Sequence, residues 1–141
     1  MNEISSAKSK YFQTHINIPP PPRLKAHQFP PLRHLRKIDL SKNQLSSVDP
    51  LAFQNLAQSD VEEVNLSGNR LSRMSEGTFV VLKGLKHLQL SDNPWHCDCQ
   101  LQSFRDYVVH KGLATGPTIC SEPVRLQDKP WDKVKIFIVF F

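Results

Sequence analysis

Hydrophobic and polar positions in the middle of the chain follow a pattern that occurs three times: Leu35-x-x-Ile38-x-Leu40-x-x-Asn43, Val61-x-x-Val64-x-Leu66-x-x-Asn69 and Leu85-x-x-Leu88-x-Leu90-x-x-Asn93. In each copy the pairs Ile38/Leu40, Val64/Leu66 and Leu88/Leu90 alternate with polar neighbours, which is the period-two signature of a short strand with one buried face. The asparagine that follows is a turn residue. Its side-chain amide can satisfy backbone groups in the bend of its own unit and of the neighbouring one, groups that burial would otherwise leave unpaired. The apolar spacing then continues as Leu45, Val48, Phe53 and Leu56 in the first unit, and as Leu71, Met74, Phe79 and Leu82 in the second. These residues predict a returning half of each unit whose side chains point inward and meet the strand residues from the opposite side.

The asparagines fall 26 and then 24 residues apart, inside the period range of leucine-rich repeats. The expectation is an α/β leucine-rich repeat solenoid with short parallel strands on its concave side, in which Asn43, Asn69 and Asn93 stack into a ladder. The two extra residues of the first unit, near Ala57-Gln58-Ser59-Asp60, are expected to bulge on the convex or descending side, where insertions cost least. Upstream, Leu24-x4-Phe29-x-x-Leu32-x-x-Leu35 matches the second half of a unit, but the matching first half would place its asparagine near position 19, where Pro19 stands. Coils bury apolar surface only against neighbours, and about three are needed for stability. Half a unit, two full units and a third strand are near that minimum, so the chain reads as one end of a longer array.

The third copy runs directly into Asn93-Pro94-Trp95-His96-Cys97-Asp98-Cys99. This ending resembles the point at which extracellular leucine-rich repeat arrays meet their C-terminal cysteine-rich cap, as in Slit-like ligands, Toll-like receptors and related adhesion or receptor ectodomains. The resemblance implies an amphipathic helix from Leu101 to about His110, with Leu101, Phe104 and Val108 on one face and Tyr107 beside it. With Trp95, that helix would cover the open core of the last coil. The segment Cys120-x-x-Pro123-x-x-Leu126 matches the region of the family's third cysteine, and the resemblance implies that Cys97 pairs with Cys120. Cys99 would then pair with a fourth cysteine after about Trp131, and the sequence through Lys133-Val134-Lys135-Ile136-Phe137-Ile138-Val139-Phe140-Phe141 supplies none.

Three readings of this departure stay open. Val-Lys fits the coding of an intron donor and the apolar run that follows fits T-rich intron sequence, so the authentic exon would end near Lys133. Alternatively, Cys99 is simply a free, small buried thiol. In the third reading Cys97, Cys99, Cys120 and one of His96 or His110 hold zinc, although Cys-x-Cys is a tighter loop than the usual ligand spacing.

Composition narrows the function classes. The net charge of +5 divides unevenly: residues 1–31 hold four Lys/Arg against one Glu, 32–96 hold eight against seven, and 97–141 hold six against five. Most of the excess lies on the leading segment rather than on a face, which argues against nucleic-acid binding. No window reaches the ~18 apolar residues of a membrane-spanning helix, so membrane attachment is expected only through other parts of a parent protein. The N-terminus has no apolar core region of a secretory signal. Read literally, the chain is cytosolic, whereas the cysteines and the family resemblance indicate an extracellular or cell-surface setting. In the cytosolic alternative the molecule is a leucine-rich repeat adaptor with reduced cysteines, and Ile18-Pro19-Pro20-Pro21-Pro22-Arg23 becomes an extended segment for aromatic-lined grooves. Otherwise the proline run is a spacer.

No catalytic arrangement is expected. The chain lacks G-x-S-x-G, H-E-x-x-H and a phosphate-binding glycine loop, and the adjacent Glu62 and Glu63 should point to opposite sides of a strand. No cofactor or metal is expected either. The resemblance implies non-catalytic protein recognition, and the solvent-facing strand positions are the ligand-contact candidates: Lys37, Asp39 and Ser41; Glu63, Asn65 and Ser67; His87, Gln89 and Ser91. They form a polar, mixed-charge patch without an aromatic anchor. Asn65-Leu66-Ser67 is also an N-glycosylation acceptor tripeptide. The domain reading is a weakly ordered Pro-rich leader over 1–23, repeats over 24–93, the cysteine-rich cap over 94–134 and an atypical apolar tail over 135–141.

Overall fold

A computed structural model describes residues 13–15 and 22–135; the Pro19–Pro21 part of the proline run and the apolar tail from residue 136 lie outside the described residues. In chain order the elements are β1 (Gln13–His15), β2 (Arg23–Leu24), β3 (Lys37–Asp39), β4 (Ser47–Val48), β5 (Glu63–Asn65) and β6 (His87–Gln89). The cap follows as β7 (Trp95–His96), α1 (Cys99–Lys111), β8 (Ala114–Thr115) and β9 (Cys120–Glu122). Short 3-10 turns at Gln54–Leu56 and Glu76–Phe79 occupy the returning halves of two coils.

Because each unit carries the chain once around, its strand arrives beside the previous one and in the same direction. The main sheet is parallel in the order β1-β3-β5-β6-β8. Its register aligns Ile38 with Val64 and Val64 with Leu88, so the inward residue of one unit stacks on that of the next. The strand residues Ile38, Leu40, Val64, Leu66, Leu88 and Leu90 and the returning-half residues Leu45, Phe53, Leu56, Leu71, Phe79 and Leu82 form one buried core. Phenylalanines run through it at centroid separations of 5.5 Å for Phe29–Phe53 and 5.2 Å for Phe53–Phe79. The two extra residues of the first unit fall between Leu56 and Val61, where Gln58 and Asp60 are exposed and Ser59 Oγ donates to the Leu56 carbonyl at 2.7 Å.

The asparagines form the expected ladder. Asn69 Oδ1 accepts from the backbone N–H of Asn43 at 2.9 Å and of Leu45 at 3.0 Å, while its Nδ2 donates to the carbonyls of Leu40 at 3.0 Å and Leu66 at 2.8 Å. Asn93 repeats this one coil later, accepting from Leu71 N–H and donating to the Leu66 and Leu90 carbonyls.

At the front, the strand ladder already includes β1, which pairs with β3 ahead of residue 24, where the sequence pattern placed the first repeat. That register aligns Thr14 with Ile38, a position that Val64 and Leu88 fill with apolar residues in later coils. A polar Thr at that signature position explains why the pattern is not legible there.

The cap closes the other end. Helix α1 is capped at its start by Asp98, whose side chain accepts from Gln100 N–H, and at its end by Gly112 in the left-handed region at φ 65. Leu101, Phe104 and Val108 are buried, and Tyr107 is partly buried beside them. Phe104 lies 6.0 Å from Phe79 and continues the phenylalanine stack, and Trp95 and Trp131 close around it at 6.1 and 5.9 Å. Trp95 Nε1 donates to the Leu90 carbonyl at 2.8 Å, which gives the buried indole its polar partner.

Candidate functional site

The parallel strands bring the solvent-facing side chains into columns. By register, Lys37, Glu63 and His87 form one column, and Asp39, Asn65 and Gln89 form the next; Ser41, Ser67 and Ser91 follow on the same side. Two flanking strands absent from the sequence pattern join the same sheet: by backbone register Gln13 aligns with Lys37 and His15 with Asp39 in β1, and Thr115 aligns with Gln89 in β8. β1 carries no leucine signature, and β8 is reached only after the helix, so neither has a repeat pattern to betray it.

Side chains on this face are held by their neighbours. Asp39 Oδ1 accepts from Ser41 N–H at 3.0 Å and Ser41 Oγ at 2.6 Å. Asn65 Oδ1 does the same for Ser67, at 2.9 and 2.7 Å. These local turns account for the Asp-x-Ser and Asn-x-Ser spacing. The turn that follows needs a left-handed residue, supplied by Lys42 at φ 58, Gly68 at φ 70 and Asp92 at φ 57. Across the strands, Lys37 Nζ lies 3.7 Å from Glu63 Oε1. Beside the face, Glu62 receives Arg36 at 2.7 Å and Lys86 at 3.8 Å, and thus answers a different set of partners from Glu63. Exposed pairs of this kind contribute at most about 1 kcal/mol each, so they order the surface more than they stabilise the fold. A depression of about 170 Å³ lies between β3 and β5, lined by Lys37, Ile38, Asp39, Glu63 and Asn65.

Cys97 and Cys120 are joined in a disulfide that ties the end of β7 to the start of β9, with Cα atoms 5.7 Å apart. The bridge consumes two of the thiolates that a zinc site would need, and the described residues contain no group of three or more side chains able to hold a metal. Cys99 is free, and it is exposed rather than buried. It is the first residue of α1 and lies off the stripe formed by Leu101, Phe104 and Val108. Among the described residues, no helix is long and apolar enough to cross a membrane.

Residues 33–94 match the family described as leucine rich repeat. Trophoblast glycoprotein from Macaca fascicularis is 33% identical over 112 residues, covering 77% of this chain and 26% of the relative. Human leucine-rich repeat-containing protein 3B is 38% identical over 96 residues, covering 68% of this chain and 36% of the relative. The chain therefore spans well under half the length of these curated relatives. Among solved structures, the octameric complex of Latrophilin 3, Unc5D and FLRT2 contains a similar chain, with a TM-score of 0.70, 26% identity and coverage of 92% of this chain and 39% of that one. Human 5T4, the trophoblast glycoprotein, aligns with a TM-score of 0.63 at 29% identity, covering 74% of this chain and 38% of that one. The repeat pattern, the asparagine ladder, the bridged cap and these relatives agree: the chain belongs to the leucine-rich repeat family, and its relatives are extracellular repeat proteins.

Proposed function

We propose that this chain is part of a secreted or cell-surface leucine-rich repeat protein, and that it recognises another protein through the columns on β3, β5 and β6 without catalysis. The observation that carries this reading is the face itself: polar side chains from three coils aligned by register, with Asp39–Ser41 and Asn65–Ser67 hydrogen-bonded within the face. Without an aromatic anchor, a single copy binds weakly, and affinity comes from avidity or from further coils. The similar chain in the complex with Latrophilin 3 and Unc5D supports a protein ligand, as that structure is itself a protein assembly.

The test uses the chain multimerised on a rigid scaffold and applied to cells that each display one ectodomain, Unc5D and Latrophilin 3 among them. Binding is expected to fall at least tenfold with Glu63→Lys combined with His87→Glu, and to survive Val80→Lys on the returning half, both variants keeping the parent melting temperature. Loss confined to Val80→Lys, or no binding to any ectodomain, overturns the proposal. Thiol titration of the denatured, unreduced protein checks the compartment: one reactive cysteine fits the secreted reading, and three fit the cytosolic adaptor.

A further inference from the structure

Five asparagines lie in the described repeat and cap region, and four of them have committed amide nitrogens. Asn43, Asn69 and Asn93 are buried and donate from Nδ2 to backbone carbonyls, and Asn55 Nδ2 donates to the Phe29 carbonyl at 3.0 Å. Asn65 differs. Its Oδ1 accepts from the backbone N–H of Ser67, an unambiguous donor, so the amide oxygen faces the turn and Nδ2 is directed away from it. Among the described residues Nδ2 of Asn65 has no hydrogen-bond partner, and the half-buried side chain borders the open depression between β3 and β5. Asn65-Leu66-Ser67 is the only Asn-x-Ser/Thr tripeptide in the 141 residues.

We infer that Asn65 is an N-glycan attachment site, and that the folded solenoid carries the sugar in the middle of its strand-lined face. The inference rests on the secreted reading proposed above. In the reaction, the enzyme forms a bond from Nδ2 to C1 of an oligosaccharide donated by a lipid-linked pyrophosphate. The C1–oxygen bond to the pyrophosphate breaks, the lipid pyrophosphate leaves with the electron pair, and the amide gives up one proton to a base. The product keeps one N–H and both hydrogen bonds to Oδ1, so the Ser67 turn survives. A glycan on any ladder asparagine would instead displace buried hydrogen bonds. With the sugar in place, the Lys37 and His87 ends of the first column flank it, and a protein ligand approaches around carbohydrate rather than over a bare central strand.

The experiment secretes the chain from mammalian cells behind a cleavable signal and reads intact mass before and after enzymatic removal of N-glycans. A control variant carries a second acceptor on the exposed turn, made by Gln58→Asn with Asp60→Thr. The expected result is one removable glycan on the parent chain, two on the control variant, and none on Asn65→Gln or Ser67→Ala. A control variant that carries a glycan only at position 58, with Asn65 bare, overturns the inference. That outcome leaves the recognition proposal intact, since the recognition proposal is decided by ectodomain binding and not by mass.

Discussion

Asn69 shows how one side chain couples two coils. It answers two backbone N–H groups of the preceding coil and two carbonyls, one from each coil, while itself buried. Replacing it by leucine keeps the volume and leaves the Asn43 and Leu45 N–H groups unpaired, at about 1–3 kcal/mol each. Asn69→Leu is therefore expected to lower the unfolding free energy by roughly 2–5 kcal/mol in urea titration, a large share of the ~5–15 kcal/mol typical of a domain. Asn55→Ala removes one part-buried bond to the Phe29 carbonyl and one exposed contact with His27 Nδ1, and the expected loss is only about 1 kcal/mol. Equal losses for the two variants would show that the ladder adds nothing beyond an ordinary hydrogen bond.

At the level of elements, α1 does for the last coil what a further coil would do. It supplies Phe104 where the stack of Phe29, Phe53 and Phe79 would otherwise end. Phe104→Ala removes that ring from a fully buried position, and a loss of about 3–5 kcal/mol is expected by denaturant titration. The disulfide acts on the same junction from the unfolded side. Its partners are 23 residues apart, and closing a loop of that length stabilises by about 3 kcal/mol on the chain-entropy model. Changing both Cys97 and Cys120 to Ser should lower stability by that order in the same titration, whereas Cys99→Ser should leave it within about 0.5 kcal/mol, because Cys99 is exposed and unbridged. A large effect at Cys99 would mean that this thiol has a structural partner.

For the whole molecule, stability is a sum of neighbour contacts along one axis, so the ends decide whether the middle stays folded. At the C-terminal end β8 pairs with β6 and α1 covers Phe79. Truncation after Asn93 strips both and exposes Leu88, Leu90 and Phe79 together. The truncated chain is expected to lose its cooperative thermal transition by circular dichroism and to elute as aggregate on gel filtration. A monomeric, cooperatively melting product would show that the coils need no cap.

The sequence by itself determined the coil, because inward positions repeat with a local period and the apolar residues named in the motif are buried, with Leu85 alone among them only partly so. It also marked the ladder asparagines, the covered face of the helix and the polar columns, each of which depends on spacing within one unit. Only the tertiary structure decided which further segments join the strand ladder. β1 and β8 join the sheet through backbone hydrogen bonds, which carry no side-chain signature, and Phe104 takes a place in a stack whose other members lie in distant coils. The asparagines were also separated only in three dimensions. Asn65 and Asn69 are four residues apart and chemically identical, yet the pleat turns the first to solvent with a free amide nitrogen and the bend turns the second into the core with every polar atom engaged.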